Sequence, residues 1–204
     1  LTAVTLPDAL SALTACDARL ARIVTDLGPP PLWAREPGFP TLLRIILEQQ
    51  VSLASARAAF DRLQEIATPL TPARFLELDD ATLKAVGFSR QKTRYGRELA
   101  GAILSGGLDL EGLHALDDDA VRAELVKVPG IGRWTADIYL LMALCRPDVW
   151  PVGDLALAVA AQRALELPSM PTPAEMASLG EPWRPWRAVA ARVLWHYYLN
   201  VPGT

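Results

Sequence analysis

Apolar residues recur along this chain at helical spacing, and no stretch alternates with the period of two that a half-buried strand requires. Leu10, Leu13, Leu20, Ile23 and Val24 fall mainly on one face of a helix predicted over 7–27. A loop with five prolines follows over 28–40. A long helix is predicted over 41–67, with Thr41 as its N-cap. Thr68 or Thr71 opens a short helix through Leu78, and another over 80–86 is stopped by Gly87. Further helices are predicted over 90–105, from Asp117 or Asp118 to Lys127, and over 133–144, 154–167 and 185–199. Pro-rich linkers surround residues 172–179. The pattern predicts an all-α fold, with no fixed-period repeat and no low-complexity tract.

One junction stands out, LVKVPGIGRWTADIYLLMAL over 125–144. Pro129 cannot continue the helix before it, because it lacks an N–H and clashes with the preceding turn. Gly130 and Gly132 can take positive φ and admit another backbone closely. A helix then starts at once, with Trp134, Ile138, Leu141, Met142 and Cys145 as its apolar positions. Its first N–H groups lack intrahelical partners, and with the helix dipole they suit a phosphate oxygen. A bare Pro-Gly-x-Gly turn fits an ordinary helical corner equally well; the full VPGIGRWTA string is far more specific. Ten residues beyond Leu144, Asp154 precedes the apolar run LALAVAAQRALEL. Asp is among the best N-cap residues, and a carboxylate there is favoured in its charged form.

Composition narrows the classes. The chain has 204 residues, enough for one compact unit or two small lobes, and 51% of them are hydrophobic. No apolar run is long enough to span a bilayer, and no secretory signal is visible, so a cytoplasmic setting is expected. Cys16 and Cys145 are the only cysteines, expected as buried free thiols; two cysteines cannot ligate a four-cysteine iron–sulfur cluster. Two histidines, His114 and His196, give no support to a histidine-rich metal site or a Ser-His-Asp triad. The net charge of −3 argues mildly against nucleic acid, but Lys84, Arg90, Lys92, Arg94 and Arg97 cluster in one stretch. That cluster reads equally as a solvated helix face or as a set of phosphate contacts.

VPGIGRWTA, followed by Gly153-Asp154 at the next helix start, resembles the helix–hairpin–helix DNA glycosylases, in particular the 3-methyladenine DNA glycosylase II (AlkA) branch. Three more segments resemble that family in order. They are IILEQQVSLASARAAF over 45–60, VGFSRQKTRYGRELA over 86–100 and EPWRPWRAVAARVLWHYY over 181–198. The resemblance covers roughly residues 38–200. It implies two helical lobes around a cleft. The central lobe would span about 41–145 with the hairpin over 119–144, and the second lobe would combine 1–40 with 146–204.

The resemblance also implies a chemistry. Asp154 would stabilise the cationic sugar formed as a damaged base leaves, and orient or deprotonate the attacking water. Trp134 stands where lyase-competent relatives carry a Schiff-base lysine, so a monofunctional hydrolase is expected, without lyase activity. Trp134 and Trp195 would hold the flipped base by stacking, with Ile138 near the pocket where the AlkA branch carries tyrosine. Gly130, Gly132, Arg133 and Thr135 would hold the DNA backbone. Gln49 and Gln50 would face the DNA, with Gln50 standing where the AlkA branch has its gap-filling leucine. The backbone carbonyls of Val126, Val128 and Ile131 match the family's structural Na⁺ or K⁺ site; no other cofactor is expected. The chain is too short to hold that branch's extra mixed α/β domain, which leaves Trp33 and Phe39 as candidates for the missing pocket wall. The expected partner is duplex DNA carrying a damaged base, bound by a monomer. Other readings stay open: a silent DNA-binding module, a glycosylase for another lesion, or an unrelated helical scaffold.

Overall fold

The 7–27 pattern is interrupted where a polar residue finds better bonds outside a helix than in one. In a computed structural model that describes residues 1–201, α1 (Leu6–Cys16) ends and α2 (Ala18–Leu27) begins on either side of Asp17. Asp17 is extended, at φ −136°, and its carboxylate accepts the Arg19 backbone N–H and the Trp183 indole N–H. The helix predicted over 41–67 is likewise two: α3 (Phe39–Glu48) and α4 (Leu53–Ile66). Gln50 between them has φ +56°, and Ser52 caps α4 by accepting the Ser55 N–H. Thr41 is no cap; α3 starts after Gly38, and the Thr41 hydroxyl donates to the Glu36 carbonyl.

The shorter elements follow their caps. Thr71 caps α5 (Pro72–Glu77), and Asp79 caps α6 (Asp80–Val86), which ends at left-handed Gly87. Ser89 caps α7 (Arg90–Leu104), and Asp117 caps α8 (Asp118–Leu125). Then come α9 (Arg133–Met142), α10 (Leu155–Ala164), α11 (Pro173–Gly180) and α12 (Arg187–Asn200). Thr172 and Glu175 form a reciprocal capping box at the start of α11. Among the described residues there is no β-strand, and no helix is long and apolar enough to cross a membrane.

The chain divides into two units, residues 35–139 and residues 1–34 with 140–204. The expected limits, 41 and 145, each lie six residues further along, and side-chain bonds account for the difference. Arg35 makes a two-armed ion pair with Glu48, and the Gly38 N–H donates to the Tyr139 hydroxyl; both ties fasten residues 35–38 to the central unit. At the other end, Leu141 belongs with Arg192 of α12. This guanidinium is wholly buried and donates to the carbonyls of Leu32, Ala188 and Leu141. Burial lowers its pKa to about 10. Residues 188–195 of α12 are all buried, so the helix has no polar stripe and acts as the core of its unit.

The cysteines depart from expectation. Cys16 is exposed and Cys145 is half-buried, with its thiol toward the Met142 carbonyl. Phe39 is no loop lid: it is buried in α3 with its ring edge-on to Phe75. Trp33 packs beside His196, whose ring also meets the Leu27 carbonyl.

Candidate active site and DNA-binding hairpin

The central unit builds the hairpin from α8, a turn over 126–132 and α9. Only one of its two glycines is demanded by backbone shape. Gly130 has φ +92°, and a Cβ there would lie 2.2 Å from Cγ of Tyr95, so the turn rests flat on that ring. Gly132 lies outside the left-handed region, and a Cβ there would meet open space. Nothing among the described residues asks for glycine at 132. The Ile131 N–H closes the turn onto the Val128 carbonyl, and the helical ladder starts with Ala136 N–H to the Gly132 carbonyl. The N–H groups ahead of Ala136 therefore stand at the dipole-positive end of α9.

A buried ion pair braces the hairpin's two helices, and sequence reading missed it. Asp137 on α9 is 1% exposed and accepts Arg122 Nε of α8 at 2.6 Å. Burial raises the Asp137 pKa despite Arg122 and the more distant Arg133. Arg133 itself is exposed at the first position of α9, its Nε 3.8 Å from Asp137.

Two predicted DNA contacts are turned inward instead. Thr135 is 1% exposed, and its hydroxyl accepts Gln49 Nε2 at 3.0 Å. Gln49 Nε2 also donates to the Gly130 carbonyl at 2.9 Å. Both residues serve the interior of the hairpin, because a buried hydroxyl and a turn carbonyl each need a partner. Gln50 is exposed, as are Val51 and Leu53 after it. On α9, Trp134 is half-buried and Ile138 buried.

The basic cluster divides. Burial lowers the Lys92 pKa, and its ammonium donates to the Leu47 carbonyl, closing the end of α3. Arg97 pairs with Asp80 and donates to the Leu78 carbonyl. Arg94 lies over the Tyr95 ring, and Arg90 and Lys84 complete the stretch near the surface.

The other unit holds the candidate carboxylate. Asp154 is the N-cap of α10, 9% exposed, and its Oδ1 accepts the Leu157 backbone N–H at 2.7 Å. The same oxygen accepts the Trp195 indole N–H at 3.1 Å. Trp195, expected as a stacking surface, orients the carboxylate; the 41-position separation hid the pair from sequence reading. Two donors on one oxygen fix the plane of the group. Among the described residues no three His, Cys, Asp or Glu side chains gather as a metal site.

The hairpin turn belongs to one unit of an all-α fold and the capped carboxylate to the other. Comparison with known proteins gives the family. Residues 43–185 match the HhH-GPD superfamily base excision DNA repair protein, and the chain belongs to that superfamily. It is 30% identical over 181 residues to DNA-3-methyladenine glycosylase 1 of Schizosaccharomyces pombe, covering 87% of this chain and 79% of that protein. It is 33% identical over 171 residues to DNA-3-methyladenine glycosylase 2 of Escherichia coli, covering 78% of this chain and 57% of that enzyme. The structure of S. pombe 3-methyladenine DNA glycosylase (Mag1) in complex with abasic DNA superposes with a TM-score of 0.87. Identity there is 29%, over 92% of this chain and 95% of that one.

Proposed function

We propose that the protein is a monofunctional DNA glycosylase of base excision repair. It binds duplex DNA, flips out an alkylated base of the 3-methyladenine type and hydrolyses its bond to deoxyribose. The observation that carries this reading is Asp154, a nearly buried carboxylate held on one oxygen by Leu157 N–H and Trp195 Nε1. A cationic alkylated base leaves with the electron pair of the N-glycosidic bond and becomes neutral. The positive charge passes to the sugar, where a fixed anion stabilises it without reorganising. Water then bonds to the anomeric carbon, and its proton passes to Asp154 or to solvent.

The rest of the reading follows from the same residues. N–H groups at the start of α9, beside Gly130, Gly132 and Arg133, hold a phosphate. Trp134 and Ile138 in the central unit, and Trp195 in the other, are the base-holding residues of this reading, and Gln50 enters the gap in the duplex. Trp134 in place of lysine leaves no amine there for a Schiff base, so strand cleavage is not part of the reaction. A structural Na⁺ or K⁺ at the carbonyls of Val126, Val128 and Ile131 suits neutral oxygens in a turn whose Val126 side chain faces solvent. The protein acts as a monomer in the compartment that holds DNA.

The test is base release from methylated duplex by the wild type and by Asp154→Asn, which keeps both hydrogen bonds but removes the charge. The expected loss is on the order of 10²–10³-fold, with DNA binding retained. Unchanged release would reduce Asp154 to a helix cap. Tight binding with no release by either protein would favour a silent DNA-binding module. Release confined to other lesions would move the substrate class.

A further inference from the structure

We propose that Gln49 is a positioning residue that locks the 49–52 turn to the hairpin turn, so that the two engage DNA as one rigid element. The proposal deepens the glycosylase reading and rests on it. A glutamine amide carries two N–H donors, and Gln49 has two acceptors for them, the Gly130 carbonyl at 2.9 Å and Thr135 Oγ1 at 3.0 Å. These partners lie 81 and 86 residues further along the chain. The first belongs to the turn resting on the Tyr95 ring, the second to the first turn of the hairpin helix. A lysine or arginine here would bury a charge, and a glutamate would set an acceptor against a carbonyl.

The other end of this link is equally fixed. Gln49 is the C-cap of α3, its N–H donating to the Ile46 carbonyl. Lys92 holds the Leu47 carbonyl, and the Glu48 carboxylate is gripped by Arg35 and Arg44. The chain then turns at Gln50, with φ +56°, and runs exposed through Val51, Ser52 and Leu53. The backbone of Gln50 is therefore one residue from a side chain bonded to the hairpin itself. A hairpin seated on phosphate sets where Gln50 meets the duplex. Without the amide, each turn would still form, held by its own caps and by Tyr95, but their mutual register would be lost.

The experiment is a double-mutant cycle of Gln49→Ala and Gln50→Ala, read as affinity for an abasic-site duplex and for an intact duplex, with urea unfolding alongside. Gln50→Ala is expected to weaken abasic-duplex binding about tenfold in the wild-type background and about twofold or less beside Gln49→Ala. Gln49→Ala alone is expected to weaken the abasic duplex about tenfold and the intact duplex about twofold. Gln49→Asn, too short to reach both acceptors, should fall between. Additive losses with wild-type binding intact would overturn the proposal and leave the glycosylase reading standing. Equal weakening of both duplexes, tracking lost stability, would also overturn it. No binding of either duplex by the wild type would remove the DNA reading and the proposal together.

Discussion

Gly130→Ala separates what the hairpin needs for its own fold from what it offers DNA. At φ +92° an alanine occupies backbone space that L-residues avoid, at a cost of about 1–2 kcal/mol. Its Cβ would also lie 2.2, 2.5 and 2.6 Å from three Tyr95 ring carbons, where no real contact survives. To clear the methyl group the ring must move, and its hydroxyl accepts from Gln91 at 2.7 Å. Overpacking of this kind costs about 1–3 kcal/mol, so the whole substitution should cost roughly 2–5 kcal/mol. Urea unfolding with an unchanged denaturant slope measures it. In a Tyr95→Ala background the steric part vanishes and only the backbone part remains, so the two substitutions should couple by about 1–3 kcal/mol. Gly132→Ala is the counterpart. Its Cβ meets nothing and its φ is unstrained, so stability should change by less than about 0.5 kcal/mol. On the proposed phosphate grip, DNA affinity should nonetheless fall, because the added methyl group crowds the hairpin N–H groups. A Gly130→Ala cost below about 1 kcal/mol, or one unchanged by Tyr95→Ala, would refute the reasoning.

Two further substitutions probe the other unit. Burial alone would raise the Asp17 pKa, but hydrogen bonds from Arg19 and Trp183 outweigh it and hold the group at about 2. A depressed carboxylate stabilises the fold above its ordinary value of 3.8, and that contribution is lost as pH falls toward about 2. Asp17→Asn should thus cost about 2 kcal/mol at neutral pH, with the gap to wild type closing between about pH 4 and pH 2 in urea titrations. Trp195→Phe removes the indole N–H from Asp154 while keeping an aromatic ring. Single-turnover base release should fall about tenfold, the equivalent of one hydrogen bond to a charged group, with unfolding shifted by about 1 kcal/mol; an unchanged rate would show that the Trp195 N–H is not needed to orient the carboxylate.

Local instructions were legible in the sequence because they act over three or four residues. Thr71 and Asp117, each one of two residues offered as a helix start, cap the helices they precede, and Gly87 ends α6 in the left-handed conformation it was read for. The hairpin turn was legible for the same reason, since Pro129 and Gly130 restrict the backbone wherever they stand. The two interrupted helices were not. Their apolar spacing runs on through Asp17 and through Gln49-Gln50, and the bonds that win there come from Trp183 and from the hairpin, far along the chain. A separation of 15 residues, across the hairpin turn, hid the Arg122–Asp137 brace. Distance along the chain also hid that Gln49 and Thr135, read as residues facing DNA, are partners of each other.

Asp154 shows why a strong local signal leaves function open. Read as a cap, it is fully explained: Oδ1 accepts Leu157 N–H, and the helix gains a satisfied donor. A cap alone, however, is usually solvated, and an exposed aspartate would serve. Here the carboxylate is 9% exposed and carries a second donor from a tryptophan on another helix. Withdrawing a charged group from water costs free energy that a cap does not require. On the glycosylase reading, a nearly buried and aimed carboxylate is the arrangement that a transition state with positive charge on the sugar rewards. On that reading the cap supplies the orientation, and the burial serves the chemistry.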